Sequence, residues 1–153
     1  MKKGLICFDM DGTIADLFAV PDWEKKLNAG DVTPYAQARP MWDMAALRSI
    51  LIRLNTQGWE IRVITWLAKN SSEGYKEAVR QAKTAWLKKY HFPASRAHMV
   101  AYGATKANCI RKMQTAAILI DDNPKIRSGW TMGRTIDPTD TDIIAELAKL
   151  LEG

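Results

Sequence analysis

The chain is poor in cysteine and has no long apolar run, and each shortage excludes a class of protein. It has two cysteines in 153 residues, Cys7 and Cys109. Two cannot supply the disulfide framework of a small secreted scaffold. Cys7 lies in an apolar, strand-like run, so both are read as reduced structural thiols. No stretch approaches the ~20 apolar residues that a membrane helix requires. The basic start Met1-Lys2-Lys3-Gly4 runs into an apolar segment broken by Asp9 and Asp11, which is not the pattern of a signal peptide. A cytoplasmic location with no membrane partner is expected. Several catalytic signatures are also missing. There is no Gly-x-Ser-x-Gly of a serine hydrolase and no Gly-x-x-x-x-Gly-Lys-Ser/Thr of a P-loop kinase. A cysteine phosphatase needs an arginine at the sixth position after the cysteine, where Cys7 has Thr13 and Cys109 has Thr115. The two histidines, His91 and His98, have no neighbour that makes a metal pair or a dyad, and both are read as structural.

What is present is an ordinary globular balance, 47% hydrophobic and 25% charged residues, in a length that suits one domain with a proper core. The formal net charge of +5 suits an anionic substrate. The basic residues are spread along the chain, and Lys76, Arg80 and Lys83 read as a solvated helix face. No zinc pattern, aromatic RNA-binding motif or helix-turn-helix signature accompanies the charge, so nucleic acid is not the expected partner.

The most informative segment is Phe8-Asp9-Met10-Asp11-Gly12-Thr13. It follows the apolar run Leu5-Ile6-Cys7-Phe8, which reads as a buried strand. Two carboxylates then stand where the strand ends and the chain turns at Gly12. Such a pair can hold a divalent cation, with one Asp attacking phosphorus and the other moving a proton. Alone, the segment could equally be a strand followed by a polar turn. Three further signals weigh against that. The run Ile61-Arg62-Val63-Ile64-Thr65 ends in a hydroxyl. Lys106 follows Gly103-Ala104-Thr105. The run Ala117-Ile118-Leu119-Ile120 ends in Asp121-Asp122-Asn123-Pro124. In an open parallel sheet, ligands bind at the carboxyl ends of strands. Adjacent carboxylates there repel one another unless a cation offsets the repulsion.

With these four motifs in order, the chain resembles the haloacid dehalogenase-like phosphohydrolases. Within that superfamily it looks most like the 5'(3')-deoxyribonucleotidases, through Asp9-Met10-Asp11-Gly12-Thr13-Ile14-Ala15-Asp16, Ala85-Trp86-Leu87-Lys88-Lys89-Tyr90 and Leu119-Ile120-Asp121-Asp122-Asn123-Pro124. It departs from that family in the short insert after Asp16 and in Trp66, where a small residue is expected. The resemblance implies a Rossmann-like three-layer sandwich with a central parallel sheet. It also implies a small cap inserted after the first strand, for which residues 17–40 are the available segment.

The resemblance implies a magnesium-dependent phosphomonoester hydrolase, and the residue types fit the roles. Asp9 is the nucleophile that forms an aspartyl-phosphate. Asp11 is the general acid and then the general base. Thr65 binds the transferring phosphoryl group, and Lys106 neutralises it and keeps Asp9 charged. Magnesium (Mg2+) suits hard oxygen ligands. Its ligands would be Asp9, the main-chain carbonyl of Asp11 and Asp122, with Asp121 behind them. The amides of Met10 to Thr13 are candidate extra donors, and Lys69 is a rival to Lys106. The expected substrate is a small phosphate monoester, a nucleoside monophosphate, with Trp23 and Trp66 as candidate stacking residues. Trp42, Trp59, Trp86 and Trp130 read as packing residues, and Asp16 as a turn residue. The alternatives are a broad small-molecule or polynucleotide-end phosphatase, and a non-catalytic phosphate-binding module.

The coarse pattern alternates strands and helices, which predicts a parallel sheet with helices on both faces. After the first strand, residues 17–40 read as polar and irregular, with no strong strand. Asp43 caps a helix carrying Met44, Leu47, Leu51 and Leu54 at helical spacing, ended by Gly58. A helix from about Ser72 to Tyr90 carries Tyr75, Val79, Ala82, Trp86 and Tyr90 on one stripe and stops before Pro93. His98-Met99-Val100 is a short strand, Lys106 to Met113 a helix, and Arg134-Thr135-Ile136 a weak strand. Asp140 is expected to cap a last helix with Ile143, Ile144, Leu147 and Leu151 inward.

Overall fold

Alternating side chains on three central strands divide the interior into two cores. The computed structural model describes residues 2–69 and 72–151. Strand β1 (Gly4–Phe8) is buried along its whole length, as an apolar run covered on both faces must be. It pairs in parallel with β4 (Trp59–Trp66) on one side and β6 (Ala117–Ile120) on the other. Strand β5 (Arg96–Val100) extends the sheet beyond β4, and β7 (Thr135–Ile136) beyond β6. The order is β5-β4-β1-β6-β7. The chain therefore leaves β1 in one direction and returns to its other side at β6. This reversal opens a crevice at the carboxyl ends of β1 and β6.

Ile6, Phe8, Ile61, Val63, Ile118 and Ile120 point to one face, where they meet α3 (Met44–Thr56), α4 (Glu73–Lys89) and α6 (Ile143–Leu150) through Leu47, Leu51, Leu54, Trp86, Ile143 and Leu147. Leu5, Cys7, Ile64 and Leu119 point to the other, against Ala107, Ile110 and Trp130. That second cover is thin. The expected helix from Lys106 to Met113 is two short 3-10 segments, Lys106–Cys109 and Arg111–Met113, parted at Ile110. A short helix α5 (Pro124–Ser128), capped by the Asn123 side chain with Pro at its first turn, is an element the periodicity did not reveal. Five residues are too few to show a repeat of 3.6.

Residues 17–40 are more ordered than the sequence suggested. They are framed by a two-stranded ladder, β2 (Ala15–Asp16) with β3 (Arg39–Pro40), antiparallel. Between these strands come a 3-10 turn Leu17–Ala19, helix α1 (Trp23–Asn28) and helix α2 (Thr33–Gln37), which has Pro34 in its first turn. Leu17 and Tyr35 anchor the segment by packing with Leu67 and Val79. The Trp86 indole N–H donates to the Ala38 carbonyl at 2.8 Å.

Two expectations need correction. Lys83 is not on a solvated face. It is 0% exposed, because Val79, Lys83, Trp86 and Leu87 fall on the buried stripe of α4. Asp140 does not cap α6; Asp142 does, accepting from the amides of Ile144 and Ala145. The two aspartates are near neighbours in a polar loop, and only the backbone fixes which one reaches the free amides. Losing a cap costs ~1 kcal/mol, which is about 2–4 °C in Tm for a chain of this size. Asp142→Ala should lower Tm by that amount, while Asp140→Ala should leave it nearly unchanged. Thermal melts of the two variants check this.

Candidate active site

Four strand ends deliver the polar residues. Asp9 follows β1, Thr65 lies near the end of β4, Lys106 follows β5, and Asp121-Asp122 follow β6. The register pairs Phe8 with Val63 and with Ile120, so Asp9 and Asp121 emerge side by side. The backbone then turns sharply. The amides of Thr13, Ile14 and Ala15 all donate to the Met10 carbonyl, and Gly12 donates to Ala15. The amides of Gly12 and Thr13, considered above as phosphate donors, are thus engaged inside the turn. Gly12 has φ +82°, and a Cβ there would collide with the Asp122 carboxylate and the Phe18 ring. Only glycine fits both the conformation and the space.

Lys106 is the hinge of the charge cluster. Its Nζ donates to Asp9 Oδ1 and to Asp121 Oδ2, both at 2.8 Å. Burial alone would push its pKa down, but Asp9 and Asp121 outweigh burial and hold it above the ordinary value. Thr13, fully buried, lies between the carboxylates. Its Oγ1 is 3.0 Å from Asp9 Oδ2 and 3.3 Å from Asp122 Oδ1, and it accepts from the Asp122 amide at 3.2 Å. Both oxygens of Asp9 therefore have a partner, which fixes the rotation of its carboxylate. Asp121 is fully buried and has a bond on each oxygen, from Lys106 and from the Asn123 amide.

The side chain of Asp11 turns elsewhere. Its Oδ2 accepts from Lys83 Nζ at 2.8 Å. The same ammonium donates to Thr65 Oγ1 at 2.7 Å and to the Trp66 carbonyl at 2.8 Å. Burial raises the pKa of Asp11, opposed by Lys83. Lys83 and the bridging role of Thr13 were both missed from the sequence. The signal for Lys83 was its position four residues after Val79 and three before Trp86. Thr13 lay inside the first motif and carried no signal of its own.

All six chemistry-bearing residues, Asp9, Asp11, Thr65, Lys106, Asp121 and Asp122, border one cavity of about 600 Å³. Trp23 and Trp66 border it as well. The Trp66 indole N–H donates to the Ala104 carbonyl at 2.8 Å. Its ring packs against Tyr102 with centroids 5.0 Å apart. Trp23 packs edge-on against Phe18. Lys69 is exposed at the rim, 5.7 Å from the Tyr102 ring centroid, and takes no part in the buried charge cluster. His98 sits outside the cavity, 3.1 Å from Arg62 Nη1.

Three carboxylates, Asp9, Asp121 and Asp122, each bring an oxygen within 4.8 Å of the others. This all-oxygen set suits a hard divalent cation. The carboxylate of Asp11 lies outside the group, with its Oδ2 bound to Lys83. Burial and the nearby Asp9 push Asp121 up to about 6. Burial, a hydrogen bond to Asp9 and the charge of Asp9 push Asp122 up to about 7.

No family model matches the chain, and no curated protein matches it. Solved structures do. One is a D,D-heptose 1,7-bisphosphate phosphatase from Burkholderia thailandensis, 14% identical, with a TM-score of 0.56 over 99% of this chain and 100% of that one. Another is the D,D-heptose 1,7-bisphosphate phosphatase from B. bronchiseptica, complexed with magnesium and phosphate. It is 12% identical, with a TM-score of 0.58 over 99% of each chain. At such identities the likeness shows the fold alone: an α/β, Rossmann-like arrangement around a parallel sheet. It gives no support to the narrower likeness to 5'(3')-deoxyribonucleotidases. Among the described residues, no helix is long and apolar enough to cross a membrane.

The raised carboxylates would make the binding of a cation by these residues depend on pH with a definite sign. Folded-state pKa values near 6 and 7 exceed the unfolded value of ~3.9. Ionising Asp121 and Asp122 therefore costs the metal-free protein stability as pH rises through that window. A cation binds the ionised forms, so its stabilising effect grows over the same window. Magnesium at ~100 times its Kd should stabilise by ~2.7 kcal/mol. We expect the Tm gain over EDTA to be larger at pH 8 than at pH 5.5. Equal gains, or none, would disprove a cation site built on these aspartates.

Proposed function

We propose that the protein is a magnesium-dependent phosphomonoester hydrolase working through an aspartyl-phosphate. The observation that carries this reading is the convergence of Asp9, Asp11, Thr65, Lys106, Asp121 and Asp122 on one cavity at the carboxyl ends of the strands. A phosphate dianion cannot approach so many carboxylates unaided. The oxygens of Asp9, Asp121 and Asp122 would hold magnesium, which when bound offsets that charge and polarises the phosphoryl group. Asp122 is the better direct ligand. Asp121 is fully buried, with Lys106 and the Asn123 amide on its oxygens, whereas Asp122 is only partly buried.

The chemistry follows from the remaining partners. A carboxylate oxygen of Asp9 forms a bond to phosphorus while the bond from phosphorus to the ester oxygen breaks. Asp11, protonated, gives its proton to the departing alkoxide. The Thr65 hydroxyl and the Lys106 ammonium hold the phosphoryl oxygens as charge shifts among them. Asp11, now a carboxylate, takes a proton from water as the water oxygen attacks phosphorus. The acyl phosphate bond breaks, and inorganic phosphate leaves with Asp9 restored.

Within this class we propose a nucleoside monophosphate, in the manner of the 5'(3')-deoxyribonucleotidases that the sequence resembles, acting in the cytoplasm. Residues 17–40 would form a small cap over the mouth of the cavity, and Trp23 or Trp66 would stack on the base. The second reading is a sugar phosphate. The named function of the two neighbours favours it, since their whole length matches this chain.

A phosphate-release panel with magnesium tests both readings, using mononucleotides, sugar phosphates and 3'-phosphorylated oligonucleotides. Mononucleotides should be turned over fastest; faster release from any other group would sink the nucleotidase reading. Asp9→Asn should abolish release with the fold intact, because an amide does not attack phosphorus. Undiminished turnover by the folded variant would remove Asp9 as nucleophile. Base–aromatic stacking contributes ~1–3 kcal/mol. Trp66→Ala should therefore lower kcat/KM for the nucleotide roughly tenfold, with a much smaller effect on a monoester that has no base to stack, such as methyl phosphate. A uniform loss would place Trp66 among packing residues.

A further inference from the structure

Lys83 is a charged side chain in an apolar place. It is 0% exposed and sits on α4 between Val79 and Trp86. Burying an ammonium is costly unless it is paired and fully hydrogen-bonded. Here it is both. An ammonium has three N–H donors and no acceptor, and the three reach Asp11 Oδ2, Thr65 Oγ1 and the Trp66 carbonyl. The Tyr35 ring, from the segment between β2 and β3, lies 5.1 Å from Nζ. One group thus ties together the turn after β1, the end of β4 and residues 17–40.

Resting on the hydrolase reading above, we infer that Lys83 is a positioning residue for the proton-transfer step. It acts on two partners. It engages Oδ2 of Asp11 and so fixes the carboxyl rotation, leaving Oδ1 for the proton that passes to the leaving group. It also fixes the polarity of Thr65. Lys83 can only donate, so Thr65 Oγ1 accepts from it, and the hydroxyl proton is left for a phosphoryl oxygen in the cavity that Thr65 borders. The general acid and the phosphoryl donor are oriented by the same ammonium, which itself touches no substrate.

The assignment predicts a loss that depends on the leaving group, which a merely structural role would not produce. Nitrophenolate leaves without help from an acid, whereas an alkoxide needs a proton. The ratio kcat/KM reports the steps up to transfer of the phosphoryl group to Asp9, so it isolates the acid role of Asp11. The test measures kcat/KM for p-nitrophenyl phosphate and for methyl phosphate, with magnesium, in the full-length protein. The variants are Lys83→Met, Asp11→Asn and the double variant. Lys83→Met should lower the methyl-to-nitrophenyl ratio by about tenfold or more, a fraction of the ~10²–10⁴ that a general acid supplies. In the Asp11→Asn background it should produce no further drop in that ratio, because the group it positions is gone. If Lys83→Met does not fold, Lys83→Gln carries the same readings, since its neutral amide ends one bond short of the ammonium and cannot hold the three acceptors as Lys83 does. Equal losses for both esters, or an undiminished effect in the double variant, would overturn the positioning role. A wild-type protein that releases phosphate from neither ester would instead overturn the hydrolase reading, and this assignment with it.

Discussion

Crowded carboxylates at the ends of β1 and β6 are the constraint around which the rest of the molecule is arranged. Four aspartates, Asp9, Asp11, Asp121 and Asp122, face two buried ammonium groups, Lys83 and Lys106. When all are ionised, the group carries two negative charges in excess. Such an excess in a poorly hydrated cleft is costly, and the raised pKa values of Asp121 and Asp122 are one sign of it. Removing either lysine would deepen the imbalance. The cluster is also what makes the place useful. An unsatisfied double negative charge on fixed oxygens is a demand for a divalent cation. In the proposed reading, that cation admits a phosphate dianion to a site that would otherwise repel it.

Sheet register makes this crowding possible. Because β1 lies between β4 and β6 in parallel, with Phe8 opposite both Val63 and Ile120, the residues just beyond each strand emerge at the same level. A slip of one residue in either pairing would exchange the two faces. A slip between β1 and β6 would also separate Asp9 from Asp121. The apolar packing on both faces therefore protects the geometry of the polar cluster. Precision there comes from the core rather than from the weak pairwise energies of the charges.

Much of this was legible in the sequence, and the limits have physical causes. The central strands were readable because short, mostly apolar runs bounded by polar or turn residues mark strands buried on both faces. The cap at Asp43 was readable because a short polar side chain preceded a periodic stretch. Asp9, Thr65 and the Asp121-Asp122 pair were readable because each stood where such a run ended, and Lys106 because it followed Gly103-Ala104-Thr105 in the order of the four motifs. Lys83 was not, since a lysine among other lysines on a helix reads as surface. Its burial depends on where Asp11 and Thr65 come to lie, which no local pattern encodes. The 3-10 segments after Lys106 and the short helix after Asn123 were missed for a different reason: a turn or so of backbone leaves no periodicity. Residues 17–40 read as irregular because their helices are brief and held by distant partners, Tyr35 by Val79 and Ala38 by Trp86.

That last dependence separates two properties of the cavity. Asp9, Thr65 and the Asp121-Asp122 pair stand on strand ends, and Lys106 on a 3-10 segment packed beside them, and the core fixes their places. Most of the aromatic boundary does not stand there, Trp66 at the end of β4 excepted. Phe18 and Trp23 come from the segment between β2 and β3, and Tyr102 from the loop after β5, where it packs on Trp66. Phe18 is 49% exposed and Tyr102 54%, so substitutions there disturb little packing. In the proposed reading, reaction type and substrate choice are then carried by different parts of the chain. The first changes only at the cost of the fold, whereas the second can change through a few half-exposed rings. The same separation explains why the four motifs support a hydrolase more strongly than they support any one phosphate ester. Tyr35 is where the two parts meet, since it packs with Leu67 and Val79 while its ring lies against the ammonium of Lys83. A shift of that segment on binding a substrate would thus be felt first at the lysine that holds Asp11 and Thr65.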